Sequence, residues 1–192
     1  MLSSFFKAYL KFTGWKAVNG IPPGLKKFVL VLAPHTSGWD MWMAVAFRSA
    51  LNLNHIKFIG KRELFKPPLG FIFRKLGGIP VDRSGNHNFV DEIAAMFDNN
   101  ESFSVALSPE GTRKKVDRLK TGFYHIARKA KVPIILIALD FEHKEFRFSP
   151  PIYTTGNEAA DMAQIIHFFH GVKGKNPELG LGHLPLDQQQ DT

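Results

Sequence analysis

The sequence predicts an α/β fold, a single domain with a mixed, mostly parallel central sheet flanked by helices. Short continuous apolar runs rich in β-branched residues, such as FVLVLAP at 28–34 and VPIILIAL at 132–139, have the length and composition of strands buried on both faces. Stretches of helical periodicity lie between such runs, and that alternation implies a sheet with helices on its faces. The size agrees: 192 residues, 44% apolar and 22% charged, suit one domain with a sizeable core.

The elements follow in order. Residues 1–16 read as an amphipathic helix. Leu2, Phe5, Phe6, Tyr9, Leu10 and Phe12 give it apolar bulk, and Lys7, Lys11 and Lys16 give it charge. Such a helix either packs on the domain's own core or lies on anionic lipid. Gly20-Ile-Pro-Pro-Gly24 then breaks the chain. A strand at 28–34, a helix at 40–51 and a short strand at 55–60 come next. A short apolar helix falls within 67–76, and the strand GGIPV at 77–81 leads into Asp82-Arg83. A helix at 86–99, a strand at 102–107, a helix at 121–130 and the strand at 132–139 complete the sheet pattern. Short late strands are expected at 146–148 and 152–153, and a closing helix at 157–170. The domain thus runs over 17–186, and the polar tail DQQQDT at 187–192 reads as disordered.

Composition narrows the function classes. Lys plus Arg number 25 against 17 Asp plus Glu, a formal charge of +8. A basic surface favours anionic partners such as nucleic acid, phosphorylated metabolites or an anionic membrane face. The cations are dispersed, with no aromatic-and-basic RNA signature or zinc-finger spacing, so no nucleic-acid partner is expected. The chain has no cysteine, which removes disulfides, thiol nucleophiles and cysteine metal sites and fits a reducing compartment. No apolar run approaches the ~18–20 residues that cross a bilayer. The first residues lack the charged start, long apolar block and cleavage site of a signal peptide.

In a largely parallel sheet, chemistry collects in loops past the carboxyl ends of strands. Three polar loops follow strands here: PHTSGWD at 34–40, VDRSGN at 81–86 and SPEGTRKK at 108–115. In the last, the turn at Glu110-Gly111 with the cations Arg113, Lys114 and Lys115 is either a phosphate cradle or an ordinary basic surface loop. Walker spacing is absent. In the second, Arg83 either pairs with Asp82 on the surface or forks onto a phosphate.

PHTSGWD also has two readings. Ser37-x-x-Asp40 fits a capping box at a helix start. Alternatively, His35 and Asp40 form a pair. On a continuous helix five residues would separate them by ~140°, so they meet only if the chain bends at Ser37-Gly38. An aspartate on one ring nitrogen fixes the tautomer and stabilises the imidazolium formed when the other nitrogen takes a proton. With no nucleophile elbow and no cysteine, such a pair would activate a hydroxyl supplied by a substrate.

Four ordered blocks tie these loops together: His35-Thr-Ser-Gly-Trp-Asp40, Gly77-Gly-Ile-Pro-Val-Asp-Arg83, Pro109-Glu-Gly-Thr-Arg113 and Val132-Pro-Ile-Ile-Leu-Ile137. In that order and spacing they resemble the glycerolipid acyltransferase superfamily, best known for 1-acylglycerol-3-phosphate acyltransferases. The resemblance covers residues 28–150 well. It implies a glycerol-3-phosphate acyltransferase-like fold, His35 as general base and Asp40 as its orienting partner. It implies that Arg83, Glu110 and Gly111, with Thr112, Arg113 and Lys61, hold the acceptor's phosphate and glycerol-like part. It implies no cofactor and no metal, the acyl-CoA or acyl carrier protein being a co-substrate, and a lysolipid acceptor. Residue 34 is proline where many members have asparagine, and Ser108 stands where an apolar or aromatic residue is common. The expected location is cytoplasmic, peripheral on the inner face of the membrane. Helix 1–16 and a second face of Phe65, Pro67, Pro68, Leu69, Phe71, Ile72 and Phe73 beside Lys66 and Arg74 would dock there. The alternatives are a thioesterase that aims the pair at water, and a non-enzymatic basic module.

Overall fold

The structure, a computed structural model, describes residues 2–68, 70–81 and 86–186. The tail at 187–192 and Asp82, Arg83 and Leu69 lie outside them. Strands β1 (Lys16–Val18), β2 (Lys27–Ala33), β3 (Lys57–Lys61), β4 (Gly78–Val81), β5 (Phe103–Leu107), β6 (Ile134–Asp140) and β7 (Glu145–Phe148) form one sheet. Its order is β1-β7-β6-β2-β5-β3-β4, and every neighbouring pair is parallel except β6 with β7. The predicted class is the observed one.

Helices α1 (Leu2–Phe12) and α2 (Trp39–Ala50) cover one face, and α4 (Asn86–Asp98), α5 (Gly122–Ala130) and α6 (Glu158–Phe169) cover the other. A short α3 (Gly70–Lys75) precedes β4. The two-residue period of the strands explains the layers. In β2, Phe28 and Leu30 join the cluster under α1 and α2, while Val29, Val31 and Ala33 join the cluster under the other helices. In β6, Ile135, Ile137 and Leu139 face one way and Ile134, Leu136 and Ala138 the other. Both strands are apolar throughout because both faces are buried.

Three features differ from the pattern, one being β1, since no strand is expected at 16–18. The first helix stops at Phe12 rather than running to 16. Gly14, at φ +78°, closes it: Trp15 N–H bonds Leu10 O at 2.8 Å and Gly14 N–H bonds Lys11 O at 3.2 Å. This is a glycine-terminated Schellman end, and it releases Lys16 to pair in β1 with Glu145. At 152–153 there is only a bridge between Ile152 and Ile134.

Because β2, β3, β4, β5 and β6 are parallel, their carboxyl ends share one edge. The loop after β2 therefore sits beside the loop after β5, while Lys61 ends β3 on the same edge.

Candidate active site

His35 and Asp40 meet. His35 Nδ1 lies 3.1 Å from Asp40 Oδ2; the ring is 26% exposed and the carboxylate fully buried. The same Oδ2 accepts the backbone N–H groups of Thr36 and Ser37, each at 2.7 Å. Half of the capping box is present, since Asp40 reaches back to Ser37 N–H. Ser37 Oγ instead accepts from Trp39 N–H at 3.2 Å. The bend at residues 37–38 thus starts α2 and turns His35 onto Asp40. With its proton on Nδ1, His35 leaves Nε2 as the lone pair to receive a proton.

Glu110 supports this loop from behind. It is 1% exposed, and its Oε1 accepts the His35 N–H at 2.7 Å. The structure therefore places it against the backbone of His35, not in an open phosphate cradle. Burial pushes its pKa up to about 7, against the opposing pull of the His35 backbone bond and the His35 charge. Gly111 follows at φ +66°, a conformation that favours glycine, and Lys120 Nζ lies 2.9 Å from where a Cβ would sit. Arg113 is exposed, its Nη1 3.4 Å from the corresponding point on Gly38, so its guanidinium lies beside the first turn of α2. Thr112 Oγ1 accepts from Lys114 N–H at 3.3 Å. Lys61 is exposed and pairs through its backbone with Val81, and its side chain makes no hydrogen bond or ion pair with the described residues. Arg83 falls outside the described residues.

Beside His35 an apolar cavity of about 200 Å³ opens between α2 and the sheet. His35, Asp40 and Ser108 line it at the strand-end edge, and Leu32, Ala44, Phe47 and Ile59 line its body. Arg48 and Leu51 line it farther along α2, about 12 and about 16 Å beyond Asp40 at ~1.5 Å per residue. The Arg48 guanidinium donates to Leu53 O, Asn54 O and Leu76 O at 3.3, 2.6 and 2.5 Å. Desolvation lowers its pKa. Four buried side-chain polar atoms among the described residues have no hydrogen-bond partner, and three are here: Asp40 Oδ1, Ser108 Oγ and Glu110 Oε2. Such atoms are rare in cores and gather where function needs them.

Sequence reasoning named His35 and Asp40 but missed Ser108, Thr36 and Lys120. Ser108 was visible only as a departure from a pattern. Among the described residues no cluster of His, Asp and Glu could hold a metal.

The profile of the family described as Acyltransferase matches residues 16–140, which contain His35, Asp40, Glu110 and most of the cavity's lining. The chain belongs to the Acyltransferase family. Three relatives are each named 1-acyl-sn-glycerol-3-phosphate acyltransferase. The protein from Haemophilus influenzae is 28% identical over 145 residues, covering 71% of this chain and 58% of its own length. That from Limnanthes douglasii is 26% identical over 168 residues, 74% and 57% of the two chains. That from Cocos nucifera is 27% identical over 151 residues, 68% and 47%. This acyltransferase-family chain thus spans about half the length of the curated relatives it matches. No solved structure gives a significant match.

Proposed function

We propose that the protein transfers a fatty acyl group from a thioester, acyl-CoA or acyl carrier protein, to the hydroxyl of a lysophospholipid such as 1-acylglycerol 3-phosphate. The observation that carries this reading is the His35–Asp40 pair at the mouth of an apolar cavity. A base beside an apolar slot is suited to a reaction at the head of a lipid chain. The names of the relatives support the same acceptor.

In this mechanism His35 Nε2 takes the acceptor's hydroxyl proton as the oxygen attacks the thioester carbonyl. The C–O bond forms, the C–S bond breaks, and the leaving thiolate recovers the proton from the imidazolium. Asp40 holds the ring and stabilises its charged form. Glu110 holds the His35 backbone rather than the substrate. Arg113, Lys61 and Arg83, with the backbone around Gly111 and Thr112, supply positive charge and donors for the acceptor's phosphate. The acyl chain lies in the cavity along α2. No cofactor enters the scheme.

The contact with lipid is peripheral, on the inner face of a cytoplasmic membrane. No helix among the described residues is long and apolar enough to cross a bilayer. The two readings of α1 are compatible. Phe6 and Leu10 are buried against α2, while Leu2, Phe5 and Phe12 point outward, Phe12 at 93% exposure. Phe6 and Tyr9 also make ring contacts with Trp42 of α2, and α2 exposes Trp39, Met41 and Trp42 close to the dyad. Aromatic residues flanked by lysines form an interfacial face. Leu64, Phe71 and Ile72, also exposed, give a second apolar patch that carries Arg62, Lys66 and Arg74 in the same stretch of chain.

The test is a screen of hydroxyl acceptors against a labelled long-chain acyl thioester, with free fatty acid measured alongside. Acyl-acceptor product that vanishes in His35→Ala is expected. Release of free fatty acid alone would make the protein a thioesterase, and no turnover of any thioester would overturn the reading. Vesicle sedimentation of Phe5→Ser/Phe12→Ser, which leaves the buried side of α1 intact, should show weaker binding to anionic liposomes. Unchanged binding would exclude α1 from docking.

A further inference from the structure

The residues after α6 lie beyond the part of the chain that the family profile matches, yet they return to the catalytic loop. Lys173 O accepts from Phe141 N–H at 2.8 Å, which lays this stretch beside the end of β6. Three residues later Asn176 meets Thr36 twice. Its backbone N–H donates to Thr36 Oγ1 at 3.2 Å, and its side-chain Nδ2 donates to Thr36 O at 3.0 Å. Between the two anchors Gly174 is buried. A Cβ there would sit 2.6 Å from Thr36 Oγ1 and 3.1 Å from Pro34 Cγ. The stretch therefore packs tightly on both neighbours of His35.

The consequence lies in one peptide plane. Thr36 C=O and Ser37 N–H belong to the same planar unit. Asn176 holds its oxygen, and Asp40 Oδ2 holds its hydrogen at 2.7 Å. The same Oδ2 faces His35 Nδ1. If that plane turns, Ser37 N–H leaves Asp40, and the carboxylate loses one of the bonds that aim it at the ring.

We propose that Asn176 is a positioning residue: with Gly174 packed behind Thr36, it locks the Thr36–Ser37 peptide so that Asp40 Oδ2 stays directed at His35 Nδ1. The proposal rests on the reading of His35 as the acting base. Asn176 touches no reacting atom, and its effect passes through a loop where small misplacements lower rates by up to about 10²-fold.

The experiment uses the full chain carrying Asn176→Ala or Asn176→Asp. The alanine keeps the backbone bond to Thr36 Oγ1. The aspartate keeps the shape but turns an acceptor toward Thr36 O. Two readouts are taken: steady-state kinetics with a long-chain acyl thioester and lysophosphatidate, and the His35 Nδ1 resonance in ¹⁵N-histidine-labelled protein, assigned with His35→Gln. Expected are a kcat lowered about 10- to 100-fold, KM values for both substrates within about twofold, and a shifted His35 Nδ1 signal in folded protein. The aspartate variant is at least as impaired as the alanine. A kcat and His35 signal unchanged in both variants, or a loss matched by the unfolded fraction, overturns the proposal. If wild type shows no acyl transfer but the His35 signal still moves, the positioning role stands and the assigned reaction fails.

Discussion

Among the described residues two His–Asp pairs are built almost alike. At the end of β2, Asp40 accepts His35 Nδ1 and two backbone N–H groups. At the end of β6, Asp140 is 1% exposed and accepts His143 Nδ1 at 2.7 Å, together with the N–H groups of Glu142 and His143 at 3.0 and 3.2 Å. By the pair geometry alone the second is the better dyad. The surroundings separate them. His35 is 26% exposed at the mouth of an apolar cavity, and Asp40 Oδ1 is left without a partner. His143 is 60% exposed on a hairpin turn, and neither it nor Asp140 lines that cavity. Arg147 Nη2, 3.5 Å from Asp140 Oδ2, further occupies the carboxylate. A buried aspartate holding a histidine is thus a common way to tie a turn. It becomes a candidate for chemistry where a substrate-sized space adjoins the free ring nitrogen.

The comparison can be broken most directly at the histidines. His35→Ala should lower turnover by about 10²–10⁴, the usual worth of a general base. His143→Ala should leave turnover within about twofold, as for an exposed surface substitution. Steady-state assays of both variants decide it, and equal losses would erase the distinction.

The cavity gives the next largest effect. Ala44→Trp fills it from α2. Turnover of long-chain acyl thioesters should fall about tenfold or more while short-chain donors persist, with thermal melting watched because overpacking destabilises by about 1–3 kcal/mol. A uniform loss across chain lengths would place the acyl group elsewhere.

Glu110 sharpens the contrast through pH. Its carboxyl is raised from 4.5 to about 7 in the folded protein by burial. A raised acid contributes stability that is fully present below the unfolded value and is lost as pH rises through the folded one. Wild type should therefore lose stability between about pH 4.5 and 7 relative to Glu110→Gln, by on the order of 3 kcal/mol. Urea unfolding across that range measures it, and parallel curves would refute the buried acid.

The smallest effect is at His143. Its pKa is raised by its bond to Asp140, so the pair helps stability at low pH and that help fades as pH rises through the folded value. Solvent screens it. His143→Ala should lower melting slightly at pH 5 and not at pH 9, and a large drop at either pH would make the pair a structural keystone.

Much of this was legible in the chain. β2 and β6 announced themselves because strands buried on both faces must be apolar throughout, and α2 and α5 because their periodicity is local. The pairing of His35 with Asp40 was readable since only five residues and one bend separate them. Glu110 was legible as important but not in its placement: its bond to His35 joins residues 75 apart in sequence. The end of α1 at Gly14 was missed because lysine and tryptophan beyond it continue the amphipathic look while the glycine turns the backbone.

Residue order and local physics settled β2, β6, α2, α5 and the bend that lets His35 meet Asp40, all of which depend on neighbours a few positions away. Folding in three dimensions decided which of two similar His–Asp pairs adjoins an apolar cavity. It also brought Glu110 behind His35 and Asn176, 140 residues on, to Thr36. Those contacts depend on the order of strands in the sheet, which no short stretch of sequence encodes.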